Sequence, residues 1–269
     1  MRLLGRFFLG IWGFSWAVLA SMVIGTIYLI GVPFGREPGW TDRIQRLFSR
    51  AMILCIGVRV RVEGGENIPS GQACVMMANH RSYLDIPAVV MGLRQISVLF
   101  VAKRELTRIP FFGWALWASH HIKVDRADRE QAVAALRESV KKIGDDIGLA
   151  VFPEGTRSPT NRLLPFKKGG FYVAVDTGFA ILPVSIQNSG TLFGKRNLLP
   201  RPGIITLVVH PIVSTSGKTR EDIPDLMREI RATMLAGLPE AAALEREAES
   251  SSETKRAPGS TPASIGRIT

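Results

Sequence analysis

Five short apolar runs set the frame of this chain: "ACVMMA" at 73–78, "ISVLFVA" at 96–102, "LAVFP" at 149–153, "AILPVSI" at 180–186 and "IITLVVH" at 204–210. Each is too short for a core helix and lacks polar alternation, so each suits a strand covered on both faces. "VRVRVE" at 58–63 does alternate and reads as a half-exposed strand. Helical character falls between the runs, at 84–93, 111–118, 127–144, 168–177 and 222–236. Strand alternating with helix predicts an α/β domain over 58–239, with a largely parallel central sheet flanked by helices. No internal repeat is present. From residue 240 the composition turns from an Ala/Glu helix to Ser, Pro, Gly and Thr, and 240–269 is expected to be a disordered tail.

Ahead of that domain, Phe7 to Gly35 contains no charged residue. The run exceeds the roughly 20 residues a spanning helix needs and is longer than the apolar core of a secretory signal. Residues 1–57 are therefore read as a retained, membrane-embedded helical anchor plus a basic helix. Two forms stay open: a spanning helix, or a hairpin broken at Gly10, Gly13, Gly25, Gly31 and Pro33 that enters one leaflet and returns. Arg2 and Arg6 precede the run and Arg36 follows it, so the positive-inside rule does not settle orientation. In the next segment Ile44, Leu47, Phe48, Ala51, Met52 and Cys55 recur at helical spacing, with Arg43, Arg46 and Arg50 off that stripe. Such a helix either rests on an anionic bilayer, where each arginine contributes about 1 kcal/mol, or packs on the core.

The formal charge of +11 calls for a partner bearing negative charge. The adjoining anchor makes a bilayer surface or a phosphorylated lipid the simpler partner, and no nucleic acid is expected. Cys55 and Cys74 both lie inside apolar runs, which rules out a disulfide framework and fits a reducing compartment.

Three polar clusters follow three of the apolar runs without a gap: Asn79 to Asp85, Lys103 to Glu105, and Glu154 to Ser158. Strands of an open parallel sheet present their carboxyl ends to one crevice, where ligands bind, so the three clusters should converge. His80 and Asp85 carry the sharpest chemistry there. A neutral imidazole accepts a proton, and a carboxylate on its second nitrogen fixes the tautomer and stabilises the imidazolium. The competing reading makes the pair turn polars, with Asp85 capping the helix that begins near Pro87. Ser82 lacks the G-x-S-x-G elbow of a covalent nucleophile. A metal on His80, Asp85 and Glu154 is disfavoured because no second histidine stands at ligand spacing. In "FPEGTRS", Arg157 offers a planar fork for phosphate, with Arg162, Lys167 and Lys168 adding charge downstream. The alternative there is that Glu154 and Arg157 pair with each other or with backbone to hold the turn.

At these residues the chain resembles the glycerolipid acyltransferase family, in particular the 1-acylglycerol-3-phosphate acyltransferases. Four blocks carry the resemblance in order and spacing: "NHRSYLD" at 79–85, "KRELTRIPFFG" at 103–113, "FPEGTRS" at 152–158 and "ILPVSI" at 181–186. It implies that His80 is the general base for the sn-2 hydroxyl of lysophosphatidic acid and that Asp85 orients it. Lys103, Glu154, Gly155, Thr156 and Arg157 would position the acceptor phosphate, and Pro183 would lie on the acyl-donor side. The implied partners are a lysophospholipid acceptor, acyl-CoA or acyl-carrier protein as donor, and membrane lipid, with no cofactor and no metal. The oxyanion donor would be Lys103 or backbone amides near Asn79. The implied location is the membrane, with the catalytic domain on the cytoplasmic side. Relatives that acylate other lysolipids share these blocks, so lyso-ornithine lipid or a lysophospholipid stays open as acceptor, as do a non-catalytic lipid binder and a hydrolase that turns the histidine on water.

Overall fold

A computed structural model describes residues 2–31, 38–110, 145–195 and 199–246, together with 113, 114, 116, 121–124, 130, 134 and 138. Its sheet has the strand order β1-β7-β6-β2-β5-β3-β4, formed by Val58–Glu63, Gly203–Val209, Ala180–Gln187, Cys74–Ala78, Ile147–Val151, Ser97–Lys103 and Ile122–Val124. Neighbours pair in parallel throughout except β6 with β7. The five apolar runs and the alternating run all lie on strands. β1 alternates between covered and exposed positions, as a sheet edge requires, whereas every residue of β2 is buried at the centre.

The pleat of β2 divides the core in two. Cys74, Met76 and Ala78 enter one apolar cluster with Ile53, Leu84, Leu93 and Leu207; Val75 and Met77 enter the other with Leu149, Phe171 and Ile230. Each fully buried aliphatic side chain contributes about 1.5–3 kcal/mol, so a central strand with no exposed residue is strongly held in register. On the first face lie α2 (Pro38–Leu54) and α3 (Asp85–Gly92); on the second lie α4 (Gly169–Thr177) and α6 (Ile223–Ala236), with the short α5 (Ser189–Phe193) beyond β6. The expected helices over 111–118 and 127–144 fall largely outside the described residues; those of their positions that are described, such as Gly113, Trp114, Glu130 and Ala134, are helical.

The N-terminal helix α1 (Arg2–Gly31) runs unbroken through Gly10, Gly13 and Gly25, which excludes a hairpin broken at those glycines; Pro33 lies outside the described residues. Length and composition allow Phe7–Ile27 to cross a membrane, and little of it is buried. Its glycines serve close approach: a methyl at Gly13 would come within 3.0 Å of Ile56, and one at Gly10 within 3.3 Å of Leu199. Trp12 Nε1 donates to the carbonyl of Cys55 at 3.2 Å beside them.

Two expectations are corrected by packing. In α2 the buried positions are Thr41, Ile44, Ser49 and Ile53, while Leu47 is 63% exposed. Arg46, on a helix that could either rest on lipid or pack on the core, follows the second reading and pins the helix to the domain. It pairs with Asp42 at 2.6 Å and donates to the carbonyls of Val90 at 3.2 Å and Ile96 at 2.9 Å. At the other end, residues 239–246 form a helix rather than the start of a tail. Leu238 and Ala241 are buried in the second cluster, Asn161 Nδ2 donates to Glu240 at 2.7 Å, and Arg231 pairs with Glu245. The Ala/Glu composition suits a helix there, and these tertiary contacts extend the ordered domain past residue 240.

Hydrogen bonds from a charged donor each contribute about 1.5–3 kcal/mol net when partly buried. Arg46→Ala is therefore expected to lower the unfolding free energy by about 2 kcal/mol, whereas Arg43→Ala at an exposed position should stay within about 0.5 kcal/mol. Denaturant melts of the two variants in the same detergent check this.

Candidate active site

The carboxyl ends of β2, β5 and β3 are adjacent in the sheet, and the three polar clusters leave them side by side. Immediately after β2, His80 Nδ1 lies 2.8 Å from Asp85 Oδ2. That same oxygen accepts the backbone amides of Arg81 and Ser82, each at 2.7 Å. Asp85 is fully buried and is the first residue of α3, yet its side chain makes no forward capping bond and reaches back into the turn. The cap reading is thereby excluded. Because two amide donors already point at Oδ2, that oxygen is an acceptor, and Nδ1 must carry the proton shared with it. Nε2 is left as the basic nitrogen, and among the described residues it has no partner. The imidazole side chain is 18% exposed, open to a ligand but largely shielded from water.

A loop after β5 encloses the histidine. Phe152 stacks on the imidazole with centroids 4.1 Å apart and planes 20° apart. Ser158 N donates to the carbonyl of His80 at 2.7 Å. Glu154 is 3% exposed, and its two oxygens accept the amides of His80 at 2.7 Å and Leu164 at 2.9 Å. Burial pushes the Glu154 carboxyl above its ordinary range, opposed by those two amides and by the Arg81 guanidinium. Both Glu154 oxygens are thus bonded to backbone, and among the described residues Glu154 makes no ion pair with Arg157. Its carboxylate holds the histidine's own peptide group, a task that the block spacing did not distinguish from ligand binding.

The other expected positions divide. Gly155 adopts φ 69° and donates to the carbonyl of Phe152 at 2.9 Å, so it makes the turn that a side chain would strain. Thr156 is exposed beside it. Arg157 lies over Tyr83, with Cζ 3.6 Å from the ring centroid, and its buried Nη1 has no partner. Lys103 ends β3 opposite Val124; its side chain lies outside the described residues. The amides of His80, Arg81 and Ser82 are engaged with Glu154 and Asp85, which removes them as oxyanion donors. Asn79 is committed too: its amide group donates to and accepts from the backbone of Ile186 at 2.9 and 2.6 Å, tying β2 to β6.

Some contributors were not singled out in sequence. Phe152 continues β5 directly, and Tyr83 is an exposed aromatic between buried Ser82 and Leu84; each stood within a block already marked. Arg81 is 5% exposed and donates to the carbonyl of Asn161; burial lowers the pKa of its guanidinium, against the nearby Glu154, Glu240 and Asp85.

Residues 59–187 match the profile of the family described as Acyltransferase. The mouse 1-acyl-sn-glycerol-3-phosphate acyltransferase alpha is 34% identical over 195 residues, which covers 72% of this chain and 68% of that relative. The chain belongs to the acyltransferase family. The Saccharomyces cerevisiae 1-acyl-sn-glycerol-3-phosphate acyltransferase is 37% identical over 202 residues, covering 72% of this chain and 65% of the relative. A crystal structure of the 1-acyl-sn-glycerophosphate acyltransferase from Thermotoga maritima superposes with a TM-score of 0.73 at 30% identity, covering 90% of this acyltransferase and 98% of that chain.

Glu154→Gln places an amide donor against a backbone donor. It is expected to cost about 1–3 kcal/mol of stability. It should also lower kcat while acceptor KM stays within about twofold, as loss of a positioning group requires. Steady-state kinetics alongside denaturant melts check both; a raised acceptor KM at unchanged kcat would place the carboxylate at the acceptor instead.

Proposed function

We propose that this acyltransferase moves an acyl chain from acyl-CoA or acyl-carrier protein to the sn-2 hydroxyl of 1-acylglycerol-3-phosphate, giving phosphatidic acid. The observation that carries the reading is the His80 and Asp85 pair, with Nδ1 held at 2.8 Å and Nε2 left free. Nε2 takes the hydroxyl proton as the oxygen attacks the thioester carbonyl. The tetrahedral intermediate collapses, the carbon–sulfur bond breaks, and the imidazolium returns the proton to the departing thiolate. The thioester is already activated, so no covalent enzyme nucleophile is needed. Ser82 fits that view, since its hydroxyl donates to the carbonyl of Phe193 at 2.6 Å and accepts the amide of Leu84. Lys103 is the proposed donor to the oxyanion, on the strength of its place at the end of β3 beside β5.

Arg157 is the proposed holder of the acceptor phosphate. A guanidinium nitrogen that is buried without a partner is costly to leave so, and a phosphate oxygen would satisfy it bidentately. The names borne by the mouse, yeast and Thermotoga relatives favour the same acceptor. Membrane association belongs to this reading, with the domain on the cytoplasmic face. α1 presents Phe8, Trp12, Leu19 and Ile30 outward, and α2 presents Arg43, Leu47, Arg50 and Leu54 along one exposed stripe. That pairing of leucine with arginine suits the boundary between acyl chains and anionic headgroups.

General-base assistance contributes about 10² to 10⁴ in rate. His80→Ala is expected to lower kcat by that factor while leaving acceptor KM within about threefold. The assay uses purified full-length protein with lysophosphatidic acid, lysophosphatidylcholine and lyso-ornithine lipid in turn. Turnover should be highest with lysophosphatidic acid; a preference for either other acceptor would overturn the substrate, and substantial residual activity in His80→Ala would overturn the base.

A further inference from the structure

Tyr83 stands between the proposed base and its carboxylate, yet it belongs to neither the core nor the hydrogen-bond network there. Its side chain is 48% exposed, whereas Ser82 and Leu84 on either side are buried. The turn beneath it is rigid: Ser82 N donates to Asp85, Leu84 N donates to the Ser82 hydroxyl at 3.0 Å, and that hydroxyl donates to Phe193. The ring therefore has a fixed base. Among the described residues the ring meets Phe193, with centroids 5.2 Å apart, and the guanidinium of Arg157 at 3.6 Å. Among the described residues Arg157 makes no hydrogen bond or ion pair, so the stack on Tyr83 is what orients it.

A stacked guanidinium engages its flat face with the ring and keeps its in-plane N–H edges free. Those edges are the donors a planar fork presents to two oxygens of a phosphate. We infer that Tyr83 is a positioning residue for acceptor recognition: its ring holds the Arg157 fork in the orientation that receives a phosphate monoester. The inference rests on the proposed role of Arg157. It follows that the ring matters and the hydroxyl does not. Without the ring the guanidinium must be ordered by the acceptor itself, which weakens binding and leaves the chemical step unchanged. A monoester should lose more than a zwitterionic headgroup, because it has more oxygens for the fork to meet.

The test is a double-mutant cycle on the full-length protein, with lysophosphatidic acid as acceptor and whichever thioester donor supports turnover. Tyr83→Leu is expected to raise acceptor KM about fivefold, within the range of a partly desolvated cation–π contact, with kcat and donor KM within about twofold. Tyr83→Phe should match the wild type within about twofold, since it keeps the ring face. In an Arg157→Ala background, Tyr83→Leu should have no further effect on acceptor KM, because the two act as one unit. An undiminished effect of Tyr83→Leu in that background, an unchanged KM in the single variant, or a Tyr83→Phe as impaired as Tyr83→Leu would each overturn the role of the ring. If Arg157→Ala itself leaves acceptor KM unchanged, the phosphate clamp falls, and the inference with it; a raised KM in Arg157→Ala with none in Tyr83→Leu overturns the inference alone.

Discussion

A fully buried carboxylate must find its donors inside the protein, and Asp85 finds three on a single oxygen. The amides of Arg81 and Ser82 and the imidazole of His80 converge there because the five-residue turn from His80 folds back onto the start of α3. That convergence settles three things together. It gives the imidazole one tautomer, it fixes the path of the chain between β2 and α3, and it uses up amides that would otherwise compete for a ligand. The donors gathered on Oδ2 shape the site, while Oδ1 is buried with no partner among the described residues.

A second carboxylate continues the arrangement across the sheet. Glu154 links the amide of His80, after β2, to the amide of Leu164, ten residues further along its own loop. Arg231 of α6 donates to the carbonyls of Leu163 and Leu164, each at 2.9 Å, and pairs with Glu245. The C-terminal helices therefore support the loop that supports the histidine. Charges at this end of the domain are mostly committed to backbone; Arg157 is stacked on Tyr83 with Nη1 unpartnered, and Nε of Arg81 is likewise buried without a partner among the described residues.

Much of this was legible in the sequence. The apolar runs at the centre of the sheet are strands covered on both faces, the run on β7 leaves Ile204 43% exposed, and the parallel strands bring the polar clusters to one edge. The family blocks at Asn79–Asp85 and Phe152–Ser158 mark the same place. What pattern could not separate was the direction in which a polar side chain points. Glu154 and Arg157 sit three residues apart in one turn, yet one is buried on backbone and the other is held on Tyr83. Helical spacing leaves Arg46 open to lipid or to the core, and the nearby carbonyls of Val90 and Ile96 draw it inward. Composition marks an Ala/Glu helix near 240 but not its packing, because the places of Leu238 and Ala241 in the second core cluster depend on tertiary contacts.

Base catalysis by His80 requires Nε2 to be the basic imidazole nitrogen, and nitrogen-15 NMR of the histidine-labelled protein measures that directly at neutral pH. The expected spectrum has His80 Nδ1 protonated and Nε2 unprotonated, with the Nδ1 proton lost as the preferred site when Asp85 is replaced by Asn. A His80 resonance carrying its proton on Nε2 in the wild-type protein would contradict the base assignment and the reading built on it.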